Sequence, residues 1–237
     1  MLEIKDVKKS YKGKPVVDGV SFSVDKGQLL GVIGRNGAGK STLMSMIATL
    51  IKPDGGSITW EGEDIVEHPS AIRSKLGFVP QDIALYEKLS GLDNMKFWGK
   101  SSGVSAERLK ERIRQVSEDI NFDEDMLKKK VENYSGGMKR RLNIGVALLH
   151  DPEIIVLDEP TAGIDIESGE MVQNAIARLR DRGKAIICVG HYLEEIKKLA
   201  THICIMNEGK ITAFGSKEEL LANETMEELY KRCSINE

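Results

Sequence analysis

Residues 28–50, QLLGVIGRNGAGKSTLMSMIATL, constrain this chain more than any other stretch. An aliphatic run breaks into a glycine-rich turn, and a helical pattern follows at once, expected to continue until Pro53 and Gly55 stop it. Gly34, Gly39, Lys40 and Ser41 match GxxxxGK[ST] in the strand-to-helix context that gives the spacing its physical meaning. Glycines let backbone N–H groups converge on phosphate oxygens, and the helix N-terminus adds partial positive charge. Lys40 can reach the β- and γ-phosphates, and the Ser41 hydroxyl is placed to hold Mg²⁺. The alternative is a tight turn that uses glycine for geometry alone; the strand and helix around it weigh against that. A nucleoside triphosphate site is the base expectation.

Such a site needs an acidic residue at the end of a neighbouring core strand, and IIVLDEP supplies Asp158 after four aliphatic residues. Glu159 follows where the strand ends, so one carboxylate can face the metal and the other an attacking water. Alone, an Asp-Glu pair would be read as a solvated turn.

Short aliphatic runs at Leu76 to Val79, Ile154 to Leu157, Ala185 to Val189 and Ile203 to Met206 alternate with helical patterns, which predicts an α/β fold around a parallel sheet. A closing hairpin is expected across Asn207 to Gly209. LEIKDVKKSY, VSFSV and SITWEG alternate more and predict a small antiparallel sheet leaning on that core. Between Leu92 and His150 the strand signal vanishes, and Leu109, Ile113, Val116 and Ile120 recur at helical spacing. A second helical run follows Ser135, as a helical insertion would have it.

Composition removes other classes. The 34 basic and 37 acidic residues among 237 leave a formal charge of −3, which argues against a polybasic nucleic-acid binder. No apolar run approaches the roughly 18 residues needed to cross a bilayer, and the start has no signal-peptide pattern, so a cytoplasmic location is expected. Cys188, Cys204 and Cys233 fit neither a disulfide framework nor a CxxC metal site, and reduced thiols are expected. Cys188 lies three residues before His191, but its apolar strand favours a core thiol over a nucleophile. The run Lys128 to Lys130 reads as a solvated face.

YSGGM, from Tyr134 to Met138, places a serine and two glycines before a helical run, a second anion-binding helix start. The two could be separate sites or halves of one site closed between protomers; residue chemistry alone does not choose. GRNGAGKST, FVPQD, YSGGMKRRL, VLDEPTAGID and VGHYLEE, in that order, resemble the nucleotide-binding subunits of ATP-binding cassette (ABC) transporters. The resemblance runs from Tyr11 to beyond His191. It implies a RecA-like P-loop NTPase core with an N-terminal antiparallel β subdomain and an inserted α-helical subdomain. One cassette would fill residues 1–237, with roughly 1–82 and 151–237 as core and β lobe and 83–150 as the helical part.

The same resemblance implies two subunits facing head to tail, with ATP and Mg²⁺ between the loop of one (Gly34, Asn36, Gly37, Ala38, Gly39, Lys40, Ser41, Thr42) and Ser135, Gly136 and Gly137 of the other. It assigns Gln81, Ser41 and Asp158 to the metal, Gln81 also to a moving joint with the helical lobe, Asp165 to the dimer interface, and His191 to the γ-phosphate. Tyr11 would stack on adenine. Read without the resemblance, Tyr11 is a packing residue, Gln81 a turn residue and His191 a helix cap. Met138, Tyr134 and Gly190 depart from the family's usual glutamine, leucine and threonine or serine. PTAGID and the stretch Tyr134 to Leu142 look like the branch that works with separate ABC-2-type permeases, including exporters.

The expected function is an ATP-hydrolysing motor for an integral membrane permease, held by it on the cytoplasmic face of the membrane. Leu85, Tyr86, Leu89, Met95, Phe97 and Trp98 are the expected docking cluster, unless they form the core of the helical lobe. A soluble non-transport cassette and a nucleotide-dependent regulator are the alternatives. The chain lacks long coiled-coil insertions and a second cassette, and it has no NKxD motif to read guanine.

Overall fold

The protein is described by a computed structural model over residues 1–234. Its chain opens with two long strands, β1 (Leu2–Tyr11) and β2 (Lys14–Val24), whose alternating pattern leaves one face wet. β3 (Leu29–Gly34), buried at every position, then feeds the glycine turn and α1 (Lys40–Ile47). That helix stops well before Pro53. Thr49 adopts a left-handed φ of +58°, and the Ala48 and Thr49 N–H groups close the last turn onto Met44 and Met46. The expectation that the helix runs to Pro53 is therefore corrected: backbone geometry at Thr49 ends it first.

β4 (Gly55–Trp60) and the two-residue β5 (Glu63–Asp64) complete an antiparallel sheet in the order β2-β1-β4-β5. The short helix α2 (Pro69–Arg73) leads to β6 (Leu76–Val79). Helices follow: α3 (Gly91–Ser101), α4 (Ala106–Asp119), α5 (Glu124–Lys128) and α6 (Gly136–Leu148). The chain then alternates through β7 (Ile154–Asp158), α7 (Ile166–Asp181), β8 (Ala185–Val189), α8 (Leu193–Leu199) and β9 (His202–Asn207). It ends with β10 (Lys210–Ser216), α9 (Lys217–Leu220) and α10 (Met226–Ser234).

The larger sheet has the order β10-β9-β3-β8-β7-β6, parallel throughout except for β10. Each central strand serves two cores because its side chains alternate across the sheet. Leu29, Ile33, Ile155, Leu157, Ile186 and Cys188 face the helices, whereas Leu30, Val32, Ile154, Val156, Ile187 and Val189 face the antiparallel sheet and α1. Leu109, Ile113, Val116 and Ile120 join the first core as their spacing predicted. Lys128 to Lys130 are exposed, and the cysteines are buried and free. No helix among the described residues is long and apolar enough to cross a membrane.

Candidate functional site

The carboxyl ends of β3, β7 and β8 lie side by side, with Gly34 ending β3, Asp158 ending β7 and paired with Val189 of β8. Gly39 closes the glycine turn with a φ of +95°, and a Cβ there would come within 2.3 Å of the Val16 carbonyl oxygen. Only glycine satisfies both conditions. Lys40, buried at the start of α1, donates from Nζ to the carbonyls of Gly34 at 2.8 Å and Arg35 at 3.1 Å. Burial pushes its pKa down, opposed by Glu159 and Asp158.

The two neighbouring carboxylates have different partners. Burial raises the Asp158 pKa, while a hydrogen bond with the Ser41 side chain pulls it back; its Oδ1 is buried without a hydrogen bond. Glu159 sits in the left-handed region at φ +52°, a strain of roughly 1–3 kcal/mol for a residue with a side chain. Its N–H donates to the Val189 carbonyl at 3.1 Å. Its Oε2 accepts from Gln81 Nε2 at 2.9 Å, and its Oε1 pairs with Nε2 of His191. A cavity of about 420 Å³ is bounded by residues 36–42 together with Val16, Gln81, Glu159 and His191.

Ser135, Gly136 and Gly137 lie outside that cavity. Ser135 caps α6, its Oγ accepting the Met138 N–H at 3.2 Å. A Cβ on Gly137 would meet Ser168 Oγ at 2.0 Å, so the glycine lets the start of α6 press against the start of α7. Asp165 caps α7, accepting the Ser168 N–H at 2.9 Å, and that hydrogen bond holds its carboxyl below the usual range. Asp165 also borders a wider cleft of about 1080 Å³ with Thr161, Ile166 and Tyr192. Tyr11, 48% exposed, ends β1 with Lys9 Nζ 5.8 Å from its ring centroid; it borders neither cavity. One chain thus gathers the glycine loop, Gln81, Asp158, Glu159 and His191, and carries the serine-glycine turn with Asp165 elsewhere on its surface.

The docking cluster divides. Met95 is fully buried, which removes it from any surface, because it lies on the core face of α3. Tyr86, Leu89 and Phe97 are exposed, Leu85 and Trp98 half-buried. Tyr86, Phe97 and Trp98 form one aromatic group, with Tyr86 and Phe97 edge-on at 4.9 Å. Sequence reasoning passed over Arg140 and Asn143, both buried on α6 and bonded to the backbone around Gln81. Asn143, a polar residue between Leu142 and Ile144, was an available signal; Arg140, between Lys139 and Arg141, was hidden in a basic run.

The family profile described as "ABC transporter" matches residues 17–162. The chain belongs to that family. It is 43% identical over 220 residues to the linearmycin resistance ATP-binding protein LnrL of Bacillus subtilis, covering 93% of this chain and 70% of the relative. A Nod factor export ATP-binding protein of Paraburkholderia xenovorans is 36% identical over 223 residues, 94% of this chain and 73% of its own. Among solved structures, a dimeric post-hydrolysis state of the cassette MJ0796 bound to ADP and Pi superposes with a TM-score of 0.82 at 25% identity, over 92% of this chain and 99% of that one. The chain is an ATP-binding cassette with the P-loop NTPase fold, and its enzymatic activity is ATP hydrolysis.

Proposed function

We propose that this cassette binds ATP with Mg²⁺ between its own glycine loop and the Ser135–Gly137 turn of a second nucleotide-binding subunit, and that closing and reopening of the pair drives an integral membrane permease in export. The observation that carries the catalytic part is the Glu159 carboxylate held between Gln81 and His191 at the wall of the cavity bounded by the glycine loop. A carboxylate there can accept a proton from water next to the terminal phosphate. Both its oxygens are already engaged, Oε2 by Gln81 and Oε1 by His191, so one of the two must yield first. Gln81 and His191 each stand exposed two residues past a core strand, so either contact is open to exchange.

The donor set suits Mg²⁺. Asp158 offers a buried oxygen with no hydrogen-bond partner, and the Ser41 side chain is close enough to the same carboxylate to lower its pKa. Among the described residues no three acidic, histidine or cysteine side chains cluster as a metal cage. Mg²⁺ characteristically takes one or two protein oxygens and completes its shell with phosphate and water. Gln81 would join Ser41 and Asp158 there, and the ion would neutralise charge on the β- and γ-phosphates. Lys40 would exchange the Gly34 and Arg35 carbonyls for phosphate oxygens. His191 would hold Glu159 and reach the γ-phosphate, with Asp165 facing the partner subunit and Tyr11 stacking on adenine.

Membrane coupling rests on the exposed Tyr86 and Leu89, on the loop that carries Gln81, and on Phe97 of α3. Aromatic surface of this kind suits a docked helix. The relatives named for linearmycin resistance and Nod factor export support export as the direction. A crosslinker placed at Glu87, applied in native membranes, tests the assignment. Capture of a polytopic membrane protein through Glu87 is expected; capture only from the opposite edge, at Lys26 or Glu61, would reject the docking face.

A further inference from the structure

The loop between β6 and α3 holds Gln81, and α6 grips that loop at two successive points. Arg140 is buried, yet its hydrogen bonds among the described residues all go to carbonyl oxygens: Nη1 to Gln81 at 2.8 Å and Pro80 at 3.3 Å, with Nη2 3.5 Å from Ala162. Asn143, equally buried, accepts the Ala84 N–H through Oδ1 at 3.0 Å. Three residues apart, the two side chains share one face of the helix. Its neighbour Arg141 turns elsewhere, donating to Ile120 and Asn121 carbonyls and lying over the Phe122 ring. Arg140 is therefore not simply one of several helix anchors.

A guanidinium taken out of water is costly to keep without a direct carboxylate partner. A leucine or methionine would fill the volume more cheaply. What the arginine supplies is a rigid fork of donors that reaches two segments at once. One is the backbone of the residue whose side chain holds Glu159; the other is the loop that follows Glu159. The same helix starts at Ser135, so a displacement at its N-terminus moves the fork with it.

We propose that Arg140 and Asn143 are positioning residues, a two-point latch through which movement of α6 shifts Gln81 and so releases or restores its hold on Glu159. The proposal rests on the roles given above to Gln81 and Ser135. A rigid helix with two attachments turns a small shift at its end into a shift of the whole loop, whereas a single contact would allow the loop to pivot.

The test is ATP hydrolysis by the full chain carrying Arg140→Lys, Arg140→Met or Asn143→Leu, each with and without Gln81→Ala. With Gln81 present, kcat should fall about tenfold while KM for ATP stays within about twofold, because the glycine loop is untouched. With Gln81 replaced, the same substitutions should lower kcat by less than about twofold, since groups acting through one residue are not additive. Equal losses in both backgrounds, a loss confined to KM, or unchanged kcat would each overturn the latch. Arg140→Lys keeps a buried cation and serves if Arg140→Met does not fold; a loss that only tracks the folded fraction at the assay temperature also counts against it. Full activity in Gln81→Ala alongside an inactive Glu159→Gln would overturn the latch and leave the hydrolytic role of Glu159 standing. Full activity in Glu159→Gln would overturn that role itself.

Discussion

Ile196 fills the space that a side chain on Gly190 would need: a Cβ there would lie 2.7 Å from its Cδ1 and 2.8 Å from its Cγ1. The same isoleucine would meet a Cβ on Gly31 at 2.3 Å, so α8 rests directly on β3 and the end of β8. Where the sequence resemblance implied threonine or serine at position 190, either side chain would have to displace Ile196. Gly190→Thr should destabilise by about 1–3 kcal/mol through overpacking. Ile196→Ala alone should cost about 2–5 kcal/mol as a cavity. Combined, the threonine occupies the vacated volume and the loss should be clearly smaller than the sum. Urea unfolding of the three variants measures this, and additive losses would show that the two positions do not share the space.

The strands and the helical stretch were legible because apolar period and turn residues agree with the final packing at nearly every element. β6 and β8 fall on the runs that the aliphatic pattern marked, since strands buried on both faces have no polar position to blur their ends. The end of α1 was not legible. Nothing in the type of Thr49 signals a left-handed residue, a conformation imposed by where the chain must go next. β5 is too short to leave a pattern. At the site, the glycine loop and the Asp158-Glu159 pair could be read from spacing, but the Glu159 contacts with Gln81 and His191 join residues far apart in the chain, and no local rule encodes them. Arg140 and Met95 failed for a related reason: which face of a helix is covered depends on neighbours that only the fold supplies.

The thiols offer a check on the core that is independent of nucleotide. Burial pushes Cys188 and Cys204 from an ordinary value of 9.0 up to about 12. Neutral buried thiols do not alkylate, so iodoacetamide at pH 8 should label neither residue in the native chain and both after denaturation. Because the raised values favour the protonated form in the folded state, their contribution to stability is complete below pH 9 and fades as pH rises toward 12. Mass spectrometry of the labelled peptides reads the first effect, and the denaturation midpoint at pH 8 against pH 10.5 reads the second. Rapid native labelling of Cys188 would place it outside the sheet core.

Lys40 and Tyr11 separate phosphate from base recognition. Charge-assisted hydrogen bonds contribute roughly 1.5–3 kcal/mol each, so Lys40→Ala, losing two or more to phosphate, should weaken ATP binding at least about 100-fold. Tyr11→Ala should weaken it by about 1 kcal/mol, roughly fivefold, and should leave the preference between ATP and GTP almost unaltered, because every base has a face to stack on. Titration calorimetry with both nucleotides distinguishes the two. Unchanged affinity in Tyr11→Ala would make the exposed ring a packing or solubility feature only.

Glu159→Gln keeps the size of the side chain and can still meet Gln81 and His191, but it cannot take a proton from water. Binding and chemistry should therefore separate: ATP affinity stays close to that of the unaltered chain, while kcat falls about 100- to 10,000-fold, the usual contribution of a general base. If hydrolysis is what reopens the paired subunits, this variant should also accumulate as an ATP-loaded dimer on size-exclusion chromatography. Ser135 caps α6 at an exposed turn outside the chain's own glycine-loop cavity. Ser135→Arg added to Glu159→Gln should leave single-chain binding intact and prevent the dimer, since a bulky cation at the facing turn blocks closure. The comparison has to be made with Glu159→Gln, because the unaltered chain consumes the nucleotide that holds the pair together. A dimer that persists in the double variant would exclude Ser135 from the shared site, and wild-type turnover in Glu159→Gln would remove Glu159 from the chemistry.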